Sequence, residues 1–551
     1  MTSAEATGPA AGRALSRTDA LLVAALAALL LAVWLEPAGS WLAEPDEARY
    51  AEIPREMLAA RDFVTPRLNG VPYFEKPPLL YWCNAASFAF FGQSPWAARL
   101  PTRLAGTATA LLLALAFGRW YGRREGLLAA IFLLAAPLGF AASRVNLTDG
   151  VLTFFFTATL LSALATLRRA EIHRPTAWLA IATGALAGLG FLSKGLIAVV
   201  LPGGIVILWA LVRKRLCDLA ALARPRAAAA FLAVTLPWLW LAERAHPGFL
   251  QFFFVHEHLQ RFATPAASRP GPITYFAGLF LAGFLPGLPF FFCGVRQALR
   301  RDPIALFFLV WFGVVLVFFS ASRSKLPPYI FPALPAAAAL AACGLASSNG
   351  RWIWAFHAAL AAALVATAAA LPAVRSAVEA NGLSALSGIG AGAVLAGAAL
   401  ALAASRRPFA AASLAGFGWA GLYAVLALAW PRLPLATDPR ALAEAARAAA
   451  ASSNARVVSY RAYFQGLPWG LSATVPVADY RGELEDWWLP ETARREIFWT
   501  RERFWNEWRS GRPVVALLPV RDRDDFRDAT PPARFLLCRS KYCVATNAPE
   551  R

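Results

Sequence analysis

Pro303-Ile-Ala-Leu-Phe-Phe-Leu-Val-Trp-Phe-Gly-Val-Val-Leu-Val-Phe-Phe-Ser320 contains no ionisable side chain. A strand is usually about 5–6 residues long, whereas a helix that crosses a membrane needs about 20 mostly apolar ones. Backbone polar groups in hydrocarbon must be satisfied within the segment, so this run reads as a spanning helix. Comparable runs lie near 19–36, 96–118, 124–142, 148–167, 176–192, 195–212, 227–242, 273–295, 328–346, 352–373, 386–404 and 409–430. The reading is therefore a polytopic α-helical membrane protein of about 13 transmembrane helices. Composition agrees. The chain is 58% hydrophobic and 16% charged, against roughly 45–50% and about 25% in soluble proteins.

A net charge of +20 raises the question of nucleic acid. The basic residues answer it by clustering between apolar runs, as topology determinants beside anionic headgroups do, so no nucleic-acid partner is expected. Arg13/Arg17, Arg119/Arg123/Arg124, Arg168/Arg169/Arg174, Arg213/Lys214/Arg215 and Arg296/Arg300/Arg301 fill alternate connections. The connections between them hold few: Arg144, Lys194, Arg323, Lys325 and Arg375. Basic short loops stay inside, which places the N-terminus in the cytoplasm. Met1–Thr18 followed by the apolar Asp19–Leu35 also resembles a signal peptide, with a tolerable cleavage site at Ala38–Ser40. The length of the run and the spans that follow favour an uncleaved first helix.

This orientation puts Glu36–Pro95, Glu243–Pro272 and the region from about Pro431 outside. Residues 1–430 form the transmembrane part, with an outer loop at 36–95; residues 431–551 form a small periplasmic α/β domain. In the outer loop, Glu47–Ala60 and Leu79–Phe91 read as helices lying in the membrane interface, the second begun by Pro77-Pro78. Phe249–Gln260 is again interfacial in character. In the last region Asp438 caps a helix at Pro439–Ala451, strands fall at Arg456–Tyr460 and Thr474–Ala478, and a helix covers Glu491–Trp508. A strand at Pro513–Val520 and a hairpin at Ala533–Ala545 complete it. The six cysteines show no metal-ligand spacing. Cys538 and Cys543 suit a disulfide across the hairpin in an oxidising compartment, or two free thiols in a core strand.

Ionisable residues near a membrane usually mark function, and here they gather on the outer side. Glu44-Pro-Asp46-Glu47-Ala-Arg49-Tyr50 follows the first span, and Glu75-Lys76-Pro77-Pro78 closes the same loop. Asp149 opens the fourth span, His256-Glu257-His258 lies in the next outer segment, and Lys325-Leu-Pro-Pro-Tyr329 precedes the tenth span. Arg and Lys at headgroup depth suit phosphate oxygens, and nearby carboxylates suit proton transfer or an oxocarbenium-like centre. Each has a structural alternative. Asp46/Glu47 start a helix, Arg49 pairs with Glu52 or Glu56, and Asp149 caps its span. Lys76 anchors at the interface, Tyr329 belongs to an aromatic belt, and Lys325 with Arg323 are ordinary flanking charges. Glu75 and His256 offer two ligands to a divalent metal such as zinc, against a satisfied interfacial histidine.

Glu44-Pro-Asp46-Glu47-Ala-Arg49-Tyr50-Ala-Glu52, Arg55-Glu56-Met57, Val64-Thr-Pro66-Arg67-Leu-Asn69-Gly70 and Tyr73-Phe-Glu75-Lys76-Pro77-Pro78-Leu79 together form one long signature. It resembles that of the bacterial lipid A aminoarabinose transferases (ArnT), of the polyprenyl-phosphate-dependent GT-C class of glycosyltransferases. Ser193-Lys194-Gly195 and Ser324-Lys325-Leu-Pro-Pro-Tyr329 resemble the family too, whereas the last region carries no matching motif. The resemblance implies a GT-C fold and transfer of 4-amino-4-deoxy-L-arabinose from undecaprenyl phosphate to lipid A phosphate at the periplasmic face, which is the modification behind polymyxin resistance. It makes Asp46 the leading catalytic carboxylate. Glu75 and Lys76 would line the donor-phosphate site, with Arg49, Asp149 and Tyr329 as cavity residues. No cofactor is required, although acidic clusters such as Glu44-Pro-Asp46-Glu47 serve metal-dependent members of the class. The partners implied are the two lipid substrates and membrane lipids, with the chain a monomer. Another sugar or a protein acceptor, as in O-mannosylation, is the nearest rival. A lipid or sugar transporter is the rival from a different class, but transporters carry repeated halves and midplane sites, and no clear repeat is found here.

Overall fold

The computed structural model describes residues 16–260, 270–300, 302–347, 351–432, 440–485, 487–539 and 541–549. Arg13, Arg301, Asp438 and Pro439 lie outside the described residues. The chain is a multi-pass helical membrane protein. Among the described residues, ten helices are long and apolar enough to cross a membrane, or eleven if one bent pair counts as a span.

The opening stretch folds as the helix Pro303–Ala321 for local reasons. Pro303 occupies its first turn, where a missing N–H costs nothing, and the Asp302 carboxylate accepts from the amides of Ile304 and Ala305. At the other end Lys325 corrects its reading as a flanking charge. Its ammonium is buried and donates to the carbonyls of Phe319, Ser320 and Ser322, at 3.1, 2.7 and 2.7 Å. A cation there satisfies orphan carbonyls and complements the negative end of the helix dipole.

Three apolar runs are not single long helices. Residues 124–142 break into Arg123–Ala135 and Pro137–Ala142, with Ala136 extended because proline disfavours helix at the residue before it. Residues 273–295 form Tyr275–Gly283 and Leu288–Leu299, set at 114° to each other across a break that contains Pro286. Ile197–Val212 is a shorter apolar helix of 16 residues. Close packing within the bundle rests on small residues. Gly294 and Gly344 bring Leu288–Leu299 against Leu334–Ser347, where an added Cβ on either would collide with the opposite backbone.

The outer loop contains the helix Asp46–Ala60, a short antiparallel pair β1 (Arg67–Leu68) and β2 (Val71–Pro72), and the helix Leu79–Phe91. The first helix is largely buried. Ala48, Ala51, Glu52 and Ile53 are fully covered, Ala48 and Ala51 packing with Phe88, Ala97 and Ala98, and the C-terminal region docks on the same helix. Polar contacts fix this docking. The Asn69 side chain exchanges two 2.8 Å hydrogen bonds with the backbone of Val475, and Arg55 donates to the Ser472 carbonyl at 3.3 Å.

The C-terminal region is a six-stranded sheet in the order β5-β4-β3-β6-β8-β7. Its strands are β3 (Arg456–Tyr460), β4 (Val477–Ala478), β5 (Phe498–Trp499), β6 (Val514–Pro519), β7 (Arg534–Arg539) and β8 (Tyr542–Thr546). β3 to β6 are parallel, and β8 and β7 add antiparallel strands at one edge. Val514, Ala516 and Leu518 pack with Phe504, Trp508 and Phe526 on one face. Val515 and Leu517 pack with Leu442, Ala446 and Leu467 on the other. Both faces are covered, as a parallel sheet requires. The helix expected over Glu491–Trp508 is instead Glu491–Ile497, the strand β5 and Arg501–Arg509, the last begun by Thr500, whose hydroxyl accepts from the Arg503 amide. Cys538 and Cys543 are disulfide-bonded across the β7–β8 hairpin.

Candidate active site

Asp46 begins its helix directly after the first span, and Arg49, one turn on, faces it at 3.1 Å. Arg49 corrects its reading as a partner of Glu52. It bridges Asp46 and Glu483 of the C-terminal region, reaching Glu483 at 2.6 Å and 3.2 Å. Glu52 instead takes a two-pronged bond from Arg55, at 2.5 and 2.7 Å. Burial works against the Arg49 charge, but the acidic neighbours Glu483 and Asp46 help raise its pKa. The guanidinium is therefore a fixed cation beside Asp46.

Lys76 donates to the Glu75 carbonyl at 2.9 Å and lies 3.6 Å from the Glu75 carboxylate. Asp149 is not a helix cap. Leu147 holds that position, and the Asp149 carboxylate takes an ion pair from Lys194. The Lys194 ammonium in turn sits 4.7 Å above the ring of Tyr329. Tyr50 joins the groups: Asp46, Arg49, Asp149 and Glu75 all lie within its electrostatic reach, and its ring is 6.1 Å from Tyr81. Asp46, Arg49, Glu75 and Asp149 thus gather around one tyrosine, with Lys76 at Glu75 and Tyr329 beyond Lys194. The hydroxyls of Tyr73 and Tyr81 are buried here with no hydrogen-bond partner among the described residues. Buried donors of this kind are normally satisfied, and a ligand oxygen would satisfy them.

The His256 ring stacks on Phe252 at 5.2 Å and its Nδ1 lies 3.6 Å from the Glu257 carboxylate. The His258 side chain lies outside the described residues. Among the described residues no three His, Cys, Asp or Glu side chains form a group that could hold a metal ion. Glu75 and His256 are two side chains, against the three protein ligands a catalytic zinc takes.

Sequence reasoning missed Glu483, the partner of Arg49, and gave Lys194 no role. It also missed how Glu44 is used. The Glu44 carboxylate accepts from the amides of Gln465 and Gly466, tying the outer loop to the C-terminal sheet. Burial pushes this carboxyl up to about 8 from its ordinary 4.5, although the two amides pull it down. A folded chain that keeps a proton the unfolded chain has released loses stability as pH rises. The Glu44 contribution to stability is thus expected to be fully present below pH 4.5, to fall through the window up to about 8, and to level off above it. Denaturant midpoints across that window check this, with Glu44→Gln flattening the decline. An unchanged slope in the variant would assign the decline elsewhere.

Residues 20–253 match the family model described as dolichyl-phosphate-mannose-protein mannosyltransferase. The crystal structure of ArnT from Cupriavidus metallidurans bound to undecaprenyl phosphate superposes with a TM-score of 0.83 at 27% identity, covering 96% of this chain and 97% of that one. The chain has an ArnT-like GT-C fold. The apo state of the same protein gives 0.80 at 26% identity. The undecaprenyl phosphate-α-4-amino-4-deoxy-L-arabinose arabinosyl transferase of Serratia proteamaculans is 34% identical to this ArnT-like chain over 335 residues, 60% of each. That of Yersinia pestis is 34% identical over 317 residues, 56% of this chain and 57% of the relative. The chain therefore spans about 60% of the length of the curated relatives it matches.

Proposed function

We propose that the chain is a glycosyltransferase of the inner membrane that moves 4-amino-4-deoxy-L-arabinose from undecaprenyl phosphate to a lipid A phosphate. The observation that carries this reading is the whole-chain likeness to a protein whose structure holds undecaprenyl phosphate. The gathering of Asp46, Arg49, Glu75, Lys76 and Asp149 beside unpaired tyrosine hydroxyls supports it. The N-terminus is cytoplasmic and the C-terminal sheet periplasmic, following the basic short loops. Residues 1–430 carry the reaction and 431–551 cover it.

In the transfer an oxygen of the acceptor phosphate attacks the anomeric carbon of the sugar. The bond from that carbon to the donor phosphate breaks, and its electron pair stays on undecaprenyl phosphate as the leaving group. Lys76 binds the donor phosphate and stabilises the charge it gains. The buried tyrosine hydroxyls donate to phosphate or sugar oxygens. Asp46 balances the cationic aminosugar and the oxocarbenium-like centre. No proton has to be removed, because a phosphate acceptor with a second pKa near 6 is already anionic.

Reconstitution with the defined undecaprenyl-phosphate aminosugar and lipid A, read by product mass, tests the reading. Wild type is expected to add one aminopentose. Lys76→Ala is expected to lower kcat/KM for the donor about 10²-fold, the size of effect of removing one preorganised donor. No transfer by wild type would overturn the assigned substrates.

A further inference from the structure

The chain enters the C-terminal sheet at β3, winds outward through β4 and β5, and returns to the other side of β3 as β6. The strand order reverses between β3 and β6, and open α/β sheets bind ligands at the carboxyl ends of the strands at such a point. A cavity of about 420 Å³ lies there, walled by Arg461 and Tyr463 after β3, Tyr480 after β4, Arg521 after β6, and Lys541 and Tyr542 before and in β8. Its volume falls in the range of small-molecule sites.

Two backbone positions mark the same crevice. Arg461 and Asp479, each directly after its parallel strand, are held at φ 49° and 53°. A left-handed conformation costs free energy in residues other than glycine, and such strain gathers at ligand sites. The two side chains face each other at 3.4 Å, and Arg461 also binds Asp522 at 2.7 Å.

The charges define the ligand. Arg461, Arg521 and Lys541 outnumber Asp479 and Asp522 by one, which suits a single phosphate more than a polyphosphate. The two carboxylates are acceptors for hydroxyls, and the exposed Tyr480 and half-buried Tyr542 offer ring faces to a sugar. A dinucleotide is disfavoured on different grounds. The amides where its pyrophosphate would sit, at Gln465 and Gly466, are already taken by Glu44. We propose that this crevice is a second ligand site, for a phosphorylated saccharide, with Arg521 and Lys541 on the phosphate and the tyrosines against the sugar. It goes beyond the transfer reaction and does not need it. Tyr542 is nevertheless within electrostatic reach of Glu44, so the crevice adjoins the loop that carries Asp46.

The test uses the full chain in detergent, with a deacylated, bisphosphorylated glucosamine disaccharide as probe. Calorimetry gives the Kd, and amide exchange at 461–463 and 519–521 locates the ligand. Protection there, with Kd at least tenfold weaker in R521A/K541A and in Y480A, is expected. Asp46→Ala, which is expected to lose transfer, is expected to bind at the crevice as wild type, so a failed transfer assay leaves this result standing. The same lipid with its acyl chains, in nanodiscs, is run beside the probe. Protection by both assigns a lipid headgroup, and protection by the soluble form alone assigns a free saccharide. Equal protection by inorganic phosphate or ATP, or unchanged binding in R521A/K541A, would overturn the proposal.

Discussion

Replacing Asp46 with alanine is expected to lower transfer about 10²–10³-fold, the cost of losing a preorganised polar group next to the reacting centre. Asp46→Asn is expected to stay within about tenfold of wild type on a dianionic acceptor, because the amide oxygen still accepts from Arg49 and no base is called for. Asp46 faces Arg49 at 3.1 Å, and Arg49 is held from behind by Glu483. The orienting half of the role therefore survives in the amide and is lost in alanine. Single-turnover rates with lipid A above pH 7 separate the two variants. An asparagine variant as inactive as the alanine one would show that the reaction needs the carboxylate's charge, as a base or as a counter-charge, and the orienting role would fail.

The second large effect concerns stability. Arg99 grips Glu47 with bonds of 2.8 and 2.6 Å, reaches Glu36 at 2.8 Å, and donates to the Trp41 carbonyl at 2.7 Å. Both members of the main pair are almost fully buried, their side chains 3% and 2% exposed. Glu47 also accepts from the amides of Ala43 and Asn146. Removing Arg99 strands Glu47 as a buried charge, at about 3–5 kcal/mol. Arg99→Met is expected to lose that much in denaturant titrations in detergent, and Glu47→Leu less, because Glu36 still pairs with Arg99. The double variant is expected to recover part of the loss, since it leaves no unpaired charge. Single losses under about 1 kcal/mol would contradict a dry network. Glu47 follows Asp46 in the chain, so this network also fixes the backbone on which Asp46 sits.

The spanning helices were legible because hydrocarbon imposes a length and a polarity on them; of the three irregular runs, two break beside Pro137 and Pro286 and the third is short. The helix Asp46–Ala60 was legible as a helix but not as a buried one. An apolar stripe is the same whether lipid or another domain covers it. Glu483 was out of reach, since it meets Arg49 from 434 positions away with no periodic pattern around it. Lys194 was visible within a family motif, yet only the fold shows that it holds Asp149. The break at β5 left a trace that went unread: the aromatic pair Phe498-Trp499 followed by Thr500, a capping residue placed just before the second helix.

The most direct test of the account is a map of the full chain with the donor bound. The donor phosphate is expected within hydrogen-bonding distance of Lys76, near the hydroxyls of Tyr73 and Tyr81, with the anomeric carbon facing Asp46. A donor phosphate held away from Lys76, or at the cytoplasmic ends of the helices, would contradict it.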